Sequence, residues 1–396
     1  MSLNNTPRSN RLHIGIFGKR NAGKSTLVNA LTNQHISLVS DVAGTTTDPV
    51  FKSMEINGIG PCVFIDTAGF DDVGELGEKR VLQTEKALEK TDVAIFVFSE
   101  EVTDYEKKWA EVLNEKKIPV IPVINKADLY TPTAEFIEAV TNFFKKSPVV
   151  VSANSNAGID KLREELISSV PEDYDAVSIT GDLVGEDDLV LLVMPQDIQA
   201  PKGRLILPQV QTLRELLDKK CVVMSCTTDK LQLTLQCLSK APKLIITDSQ
   251  VFRTVYDQKP EESLLTSFSV LFAQYKGDIE YFVKSVEVLE ALKPDANILI
   301  AEACTHVPLD EDIGRDKIPR LLRKKYGDDL KITHVNGNDF PDDLSHYDLI
   351  IHCGACMFNR KYVLNRVASA KNNSIPMTNY GVVLAYLSGI LDKIDY

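Results

Sequence analysis

Three of the seven cysteines in this 396-residue chain fall in two short stretches, each beside histidines. Cys304 and His306 form "CTH"; His352, Cys353 and Cys356 form "HCGAC". Thiolates are soft ligands that select zinc, copper(I) or an iron–sulfur cluster over magnesium or calcium. Zinc with three Cys and one His would be a closed structural site. An iron–sulfur cluster normally takes four cysteines. With three, one iron is left for His306, His352, a nearby carboxylate such as Glu302 or Asp310, or an exogenous ligand. Gly354 would let the turn close so that Cys356 reaches back toward Cys353. The bland alternative is three buried free thiols, because free cysteine is a common core residue. His334 and His346 are expected to play no ligand role. Cys62, Cys221, Cys226 and Cys237 read as structural.

A second constellation lies near the N-terminus. "GKRNAGKS", residues 18–25, fits G-x-x-x-x-G-K-[ST] between a strand-like run and a helix-like run. In such a loop Asn21, Ala22, Gly23, Lys24, Ser25 and Thr26 wrap phosphates with backbone N–H groups at a helix N-terminus. Lys24 would neutralise β/γ-phosphate charge and the Ser25 hydroxyl would ligate magnesium. "DTAG", Asp66 to Gly69, would add a water-mediated magnesium contact from Asp66 and a γ-phosphate contact from the Gly69 N–H, with Thr67 and Ala68 between them. "NKAD" supplies Asn125, Lys126 and Asp128. The Asp128 carboxylate can accept from both N1–H and the 2-amino group of guanine, a donor pair that adenine lacks. "SAN" places Ser152 and Ala153 against the base. Four motifs in order, each at the carboxyl end of a strand, match the ligand crevice of an open α/β sheet, so GTP is the expected ligand.

The elements that must carry these residues alternate. Strand runs at 12–18, 62–67, 93–99, 120–125 and 148–153 are separated by helical runs such as "KSTLVNALTN" and "EFIEAVTNFFKK". That predicts a parallel sheet covered on both faces, a P-loop GTPase domain over 11–171 behind a disordered arm at 1–10. The acidic stretch at 172–188 reads as a linker. A second α/β stretch, 189–265, has strands near 189–195, 221–226 and 243–249. A long helix is expected over about 267–292. The last unit, 266–396, has strands near 297–304, 331–335 and 348–353, so that Cys304 and Cys353 both end strands. If those strands are parallel neighbours, the thiols meet at one edge of the sheet. The fold class is therefore α/β throughout.

Composition narrows the partners. The net charge of −12 disfavours binding nucleic acid through bulk electrostatics. No apolar run reaches the roughly 18 residues needed to cross a bilayer, and the N-terminus lacks a secretory h-region. Seven cysteines without an export signal suit a reducing cytoplasm.

The nucleotide motifs resemble those of the potassium-dependent TrmE/Era branch of small GTPases. The resemblance rests on Asn21 within "RNAGKS" and on "GTTTD" at 44–48. It implies that Thr46 is the magnesium-binding threonine of the first switch loop. It also implies a potassium site formed by Asn21, Ser40, Val42 and Thr45. Lys24, Thr46 and Gly69 would be the residues that act on the γ-phosphate. Phe70 stands where Ras-like enzymes keep a water-orienting glutamine, so potassium-stimulated and slow turnover is expected.

With the C-terminal C-x-H…H-C-x-x-C added, nearly the whole chain resembles the HydF family, the GTPases that mature FeFe-hydrogenase. "DTAGFDDVGELGEKRV" and "HCGACMFNR" carry that likeness too. The resemblance implies a cytoplasmic homodimer joined through its central domain. It implies a 4Fe–4S cluster held by Cys304, Cys353 and Cys356. It further implies receipt of a diiron precursor, made with the radical-SAM maturases HydE and HydG, and its delivery to apo FeFe-hydrogenase. The alternative weighed against it is an RNA-associated regulatory GTPase with a structural Cys3His zinc site, which the acidic charge disfavours.

Overall fold

The computed structural model describes residues 8–32, 50–56, 58–67, 75–171, 174, 177–195, 205–303, 312–337 and 339–396. It divides into two compact units, 1–176 and 177–396.

The first unit holds six strands: β1 (Leu12–Gly18), β2 (Val50–Ile56), β3 (Gly60–Asp66), β4 (Val93–Phe98), β5 (Val120–Ile124) and β6 (Val149–Val150). Their order is β2-β3-β1-β4-β5-β6, with every pair parallel except β2–β3. All seven residues of β1 and all six of β4 are buried, which is why they read as unbroken apolar runs. Helices Lys24–Thr32 and Ile159–Ser168 pack on one face through Leu27, Val28, Leu162 and Leu166. Trp109, Leu113 and Val140 cover the other face. Strand β2 was not expected: "VFKSMEI" mixes charged and apolar residues, as an edge strand does, and Phe51 and Ser53 are exposed. Residues 8–10, expected in a disordered arm, form a 3-10 turn with Ser9 buried, and the Tyr174 hydroxyl donates to Asn10 O at 3.0 Å.

The second unit contains two four-stranded parallel sheets. β7 (Leu189–Val193), β8 (Val222–Cys226), β9 (Leu244–Thr247) and β10 (Leu264–Ser267) lie in the order β10-β9-β7-β8. β11 (Asn297–Glu302), β12 (Lys331–Asn336), β13 (Leu349–His352) and β14 (Met377–Asn379) lie in the order β12-β11-β13-β14. At the β10 edge Asp395 both donates to Leu265 O and accepts from Leu265 N, at 2.9 Å each. At the opposite edge β8 exposes Val222 and Met224.

Three sequence expectations change here. Of the acidic stretch expected to be a linker, 177–188 is packed: Ile179, Thr180 and Val184 are buried. The Glu215 carboxylate explains this, accepting from Ile179 N at 2.6 Å, Thr180 N at 2.8 Å and the Ser178 hydroxyl at 2.9 Å. The long helix expected over 267–292 is two helices, Phe268–Lys276 and Ile279–Val286, followed by a 3-10 turn at Glu287–Ala291. They part at Gly277, where an added Cβ would meet the Phe282 ring at 2.5 Å, and Asp278 caps the second by accepting from Tyr281 N at 3.0 Å. Finally, Phe268, Leu271 and Phe272 pack into the core of the middle sheet. The middle segment therefore runs past the expected 265/266 boundary.

Candidate functional sites

The nucleotide motifs gather at the carboxyl ends of β1, β3 and β5 and beyond β6. Asn21 has φ 60° and Gly23 has φ 87°, so the loop before helix Lys24–Thr32 coils back on itself. An added Cβ at Gly23 would lie 2.3 Å from Asn125 Nδ2, so only glycine permits this approach. Asn125 is buried and clamps two loops together. Its Nδ2 donates to Ala22 O at 3.0 Å, and its Oδ1 accepts from Ala153 N at 3.0 Å. Lys24 is buried, with Nζ 2.8 Å from the carbonyls of both Gly18 and Lys19.

The Ser25 hydroxyl donates to Asp66 Oδ2 at 2.6 Å, while the buried Asp66 Oδ1 has no hydrogen-bond partner. A hydroxyl and a carboxylate in contact, with one buried carboxylate oxygen left over, fit an oxygen-seeking divalent cation. Thr67, expected beside the nucleotide, turns its hydroxyl inward to Ile16 O at 2.6 Å. Asp128 is exposed. It accepts from the Ser152 hydroxyl at 2.7 Å, and that bond holds its carboxyl below the usual carboxylate range. Lys126, at φ 66°, and Thr26, exposed, complete the described part of the site. Ser40, Val42, Thr45, Thr46, Ala68, Gly69 and Phe70 lie outside the described residues.

The cysteine region sits at the other end of the chain. β11 pairs in parallel with both β12 and β13. The chain leaves β11 toward β12 on one side and returns to β13 on the other. The carboxyl ends of β11 and β13 therefore form the switch point of this sheet, the usual ligand crevice. Cys304, His306 and Asp310 follow β11 but lie outside the described residues. Cys353 follows β13, and its Sγ accepts from Ala303 N at 3.1 Å and Ala355 N at 3.4 Å. Cys356 is half-buried, and desolvation pushes its thiol up. The turn does not depend on glycine at 354, since a Cβ there would stand 3.8 Å from Cys356 Sγ, an ordinary contact; the left-handed residue of the turn is Ala355, at φ 46°. Two thiols at a switch point, one already accepting backbone N–H bonds, fit a thiolate-ligated metal centre. Among the described residues alone no group of three metal-ligating side chains occurs.

Two of the candidate fourth ligands, His352 and Glu302, are already engaged. His352 is buried with Nδ1 2.6 Å from Cys353 O and Nε2 2.9 Å from Arg366 Nη1. Burial and the Arg366 charge push its imidazole down to about 3, so it stays neutral. Glu302 is buried and accepts from Arg315 at 3.3 Å and from the Tyr380 hydroxyl at 3.4 Å. His334 bonds Gly314 O at 3.0 Å, and the His346 ring lies tilted against Tyr347 with centroids 4.2 Å apart.

Sequence reasoning missed three cations around this loop: Lys276, Arg315 and Arg366. Lys276 Nζ donates to the carbonyls of Ala355, Cys356 and Phe358 at 3.0, 3.3 and 2.8 Å. Its position at the buried end of an otherwise apolar helix was the one available signal.

Comparison with known proteins matches three segments of the chain. A family model described as "Hydrogen maturase F tetramerization domain" matches residues 280–394, and "Hydrogen maturase F dimerization domain" matches 179–277. "50S ribosome-binding GTPase" matches 13–126. Among curated relatives, GTPase Der of Wolinella succinogenes is 40% identical over 166 residues, covering 39% of this chain and 35% of that protein. The tRNA modification GTPase MnmE of Polynucleobacter asymbioticus is 34% identical over 163 residues, covering 40% of this chain and 35% of that protein. The chain thus spans about a third of the length of these relatives. Aquifex aeolicus Era bound to GDP·AlF4− aligns at 21% identity and a TM-score of 0.37, covering 57% of this chain and 98% of that one.

Proposed function

The chain belongs to the hydrogen maturase F family, and on that premise we propose that it is a GTP-hydrolysing scaffold that carries a diiron precursor to apo FeFe-hydrogenase. One observation supports this above the others. A guanine-type phosphate loop, locked by Asn125, shares a chain with paired thiols at the switch point of a sheet inside a hydrogen-maturase domain.

In the nucleotide site Asn21 to Thr26 cradle the phosphates, and Lys24 offsets charge that develops as the γ-phosphoryl group leaves. Ser25, Asp66 and Thr46 would hold magnesium, which supplies electrostatic stabilisation of the β/γ-phosphate oxygens. Asn21, Ser40, Val42 and Thr45 would hold potassium. With Phe70 in place of a water-orienting glutamine, turnover is slow and potassium-stimulated. Gly69 and Thr46 follow the γ-phosphate and act as the switch. Asp128 reads the base while Ser152 and Ala153 pack along it.

In the second site Cys304, Cys353 and Cys356 would hold a 4Fe–4S cluster, whose chemistry is to offer an iron position for exchange of cargo. The described residues shape its surroundings: Ala303 and Ala355 N–H groups support the Cys353 sulfur, and Ala355, at φ 46°, turns the chain between the two thiols. His306, His352, Glu302 and Asp310 remain the protein candidates for the fourth position. Of these, His352 and Glu302 would first have to give up their bonds to Arg366 and Arg315.

The chain works as a homodimer in the cytoplasm, with HydE, HydG and apo FeFe-hydrogenase as partners and no nucleic acid or membrane. The exposed β8 edge, within the stretch matched as a dimerization domain, is the proposed joining surface. The RNA-associated zinc alternative gains no support from the domains matched. Activation of apo-hydrogenase by protein loaded with HydE and HydG products tests the proposal. Activation should require Cys353 and differ between GTP and GDP. Equal activation by C353S would refute it.

A further inference from the structure

We infer that Lys276 is a built-in counter-charge for the cysteine site: a buried ammonium, delivered by the last helix of the middle domain, that holds the C-x-x-C turn and compensates the negative charge of bound thiolates. The inference rests on the iron–sulfur reading of that site.

Lys276 is 1% exposed, as deeply buried as the phenylalanines around it. Burying an ammonium is expensive unless its donors are met. Here they meet the carbonyls of Ala355, Cys356 and Phe358, and Nζ lies 5.5 Å from the Phe272 ring centroid. Two of those carbonyls belong to the turn that carries both thiols. Ala355, buried at 1% exposure, has a left-handed φ of 46°. That conformation is unfavourable for any residue with a Cβ, and the ammonium pins the carbonyl of this same residue.

A neutral donor could tie a loop as well. A charge is worth burying where an opposite charge will be placed, and thiolate ligands bring one. The tie also crosses a domain boundary. Lys276 ends helix Phe268–Lys276, whose apolar face belongs to the middle core, and Arg360 reaches back to Tyr275 O at 3.1 Å. The metal-binding turn is thus braced from the domain matched as the dimerization domain.

Lys276 is a positioning residue, so its test needs a readout that loop support alone would not move. K276Q keeps N–H donors and removes the charge, while K276R keeps the charge. Each is reconstituted anaerobically with iron and sulfide, beside the wild type and C353S, then poised with a viologen reductant and read by EPR. One electron enters the cluster and no bond forms or breaks. At fixed poise the reduced-to-oxidised ratio of K276Q should fall roughly tenfold, from loss of one nearby charge at low effective dielectric. K276R should stay near the wild type. Iron bound by K276Q with an unchanged ratio overturns the inference and leaves a structural tie. If K276Q does not fold by near-UV circular dichroism, K276R decides: a tenfold fall in its ratio, with the charge retained, overturns the inference. If C353S binds as much iron as the wild type, the reading of the site fails, and the inference fails with it.

Discussion

Gly23→Ala perturbs the point where three nucleotide motifs converge. The methyl group would project to 2.3 Å from Asn125 Nδ2, on a residue whose φ is 87°. A left-handed conformation costs a residue with a Cβ about 1–2 kcal/mol. The displaced Asn125 amide would lose its bonds to Ala22 O and Ala153 N, both 3.0 Å and both buried. Each such bond contributes about 1 kcal/mol net. The sum, about 3–4 kcal/mol, corresponds to roughly 200- to 1000-fold in affinity. Fluorescent-GDP titration of wild type and G23A should show that loss. N125A, which removes the clamp without straining the loop, should lose about 2 kcal/mol, roughly 30-fold. Affinities of G23A within threefold of the wild type would refute the clamp.

Asp128→Asn should weaken GTP roughly 100-fold by turning one acceptor into a donor facing a donor, and should favour xanthosine triphosphate, which carries an oxygen at the 2-position; competition binding checks both. Burial pushes the Cys62 thiol to about 12 from 9.0, so native protein at pH 8 should be alkylated by iodoacetamide at exposed Cys237 and not at Cys62. The folded pKa is raised, so stability from this group is full below pH 9.0 and falls as pH rises through 9.0 toward 12. Urea midpoints at pH 7 and pH 10 should therefore separate less for C62V than for the wild type. Replacing exposed Val222 and Met224 on the β8 edge by lysine should shift the protein toward monomer in light scattering without lowering its melting temperature; an unchanged mass would move the interface elsewhere.

What the sequence made legible follows from burial. β1, β4, β7 and β11 are buried along nearly their whole length and appear as continuous apolar runs. β10 and β14, at four and three residues, are too short to leave a pattern. The acidic stretch before β7 looked like linker because its anchor, Glu215, lies on a helix some 35 residues later. Motif residues were legible because phosphate and thiolate chemistry fixes their types at short spacing. Lys276 and Arg366 were not, since a cation on a helix usually faces water. Only the fold carries residues 79 positions apart to one buried contact. Arg366 likewise meets His352 only after β13 and helix Arg360–Asn372 pack together.

Iron content after anaerobic reconstitution, measured beside GTP binding in C304S, C353S and C356S, tests the account most directly. Wild type should hold about four irons per chain and show broad sulfur-to-iron charge-transfer absorption. Each variant should lose that iron while binding GTP as tightly as before. Colourless wild-type protein holding one zinc per chain, or variants that keep their iron, would contradict it.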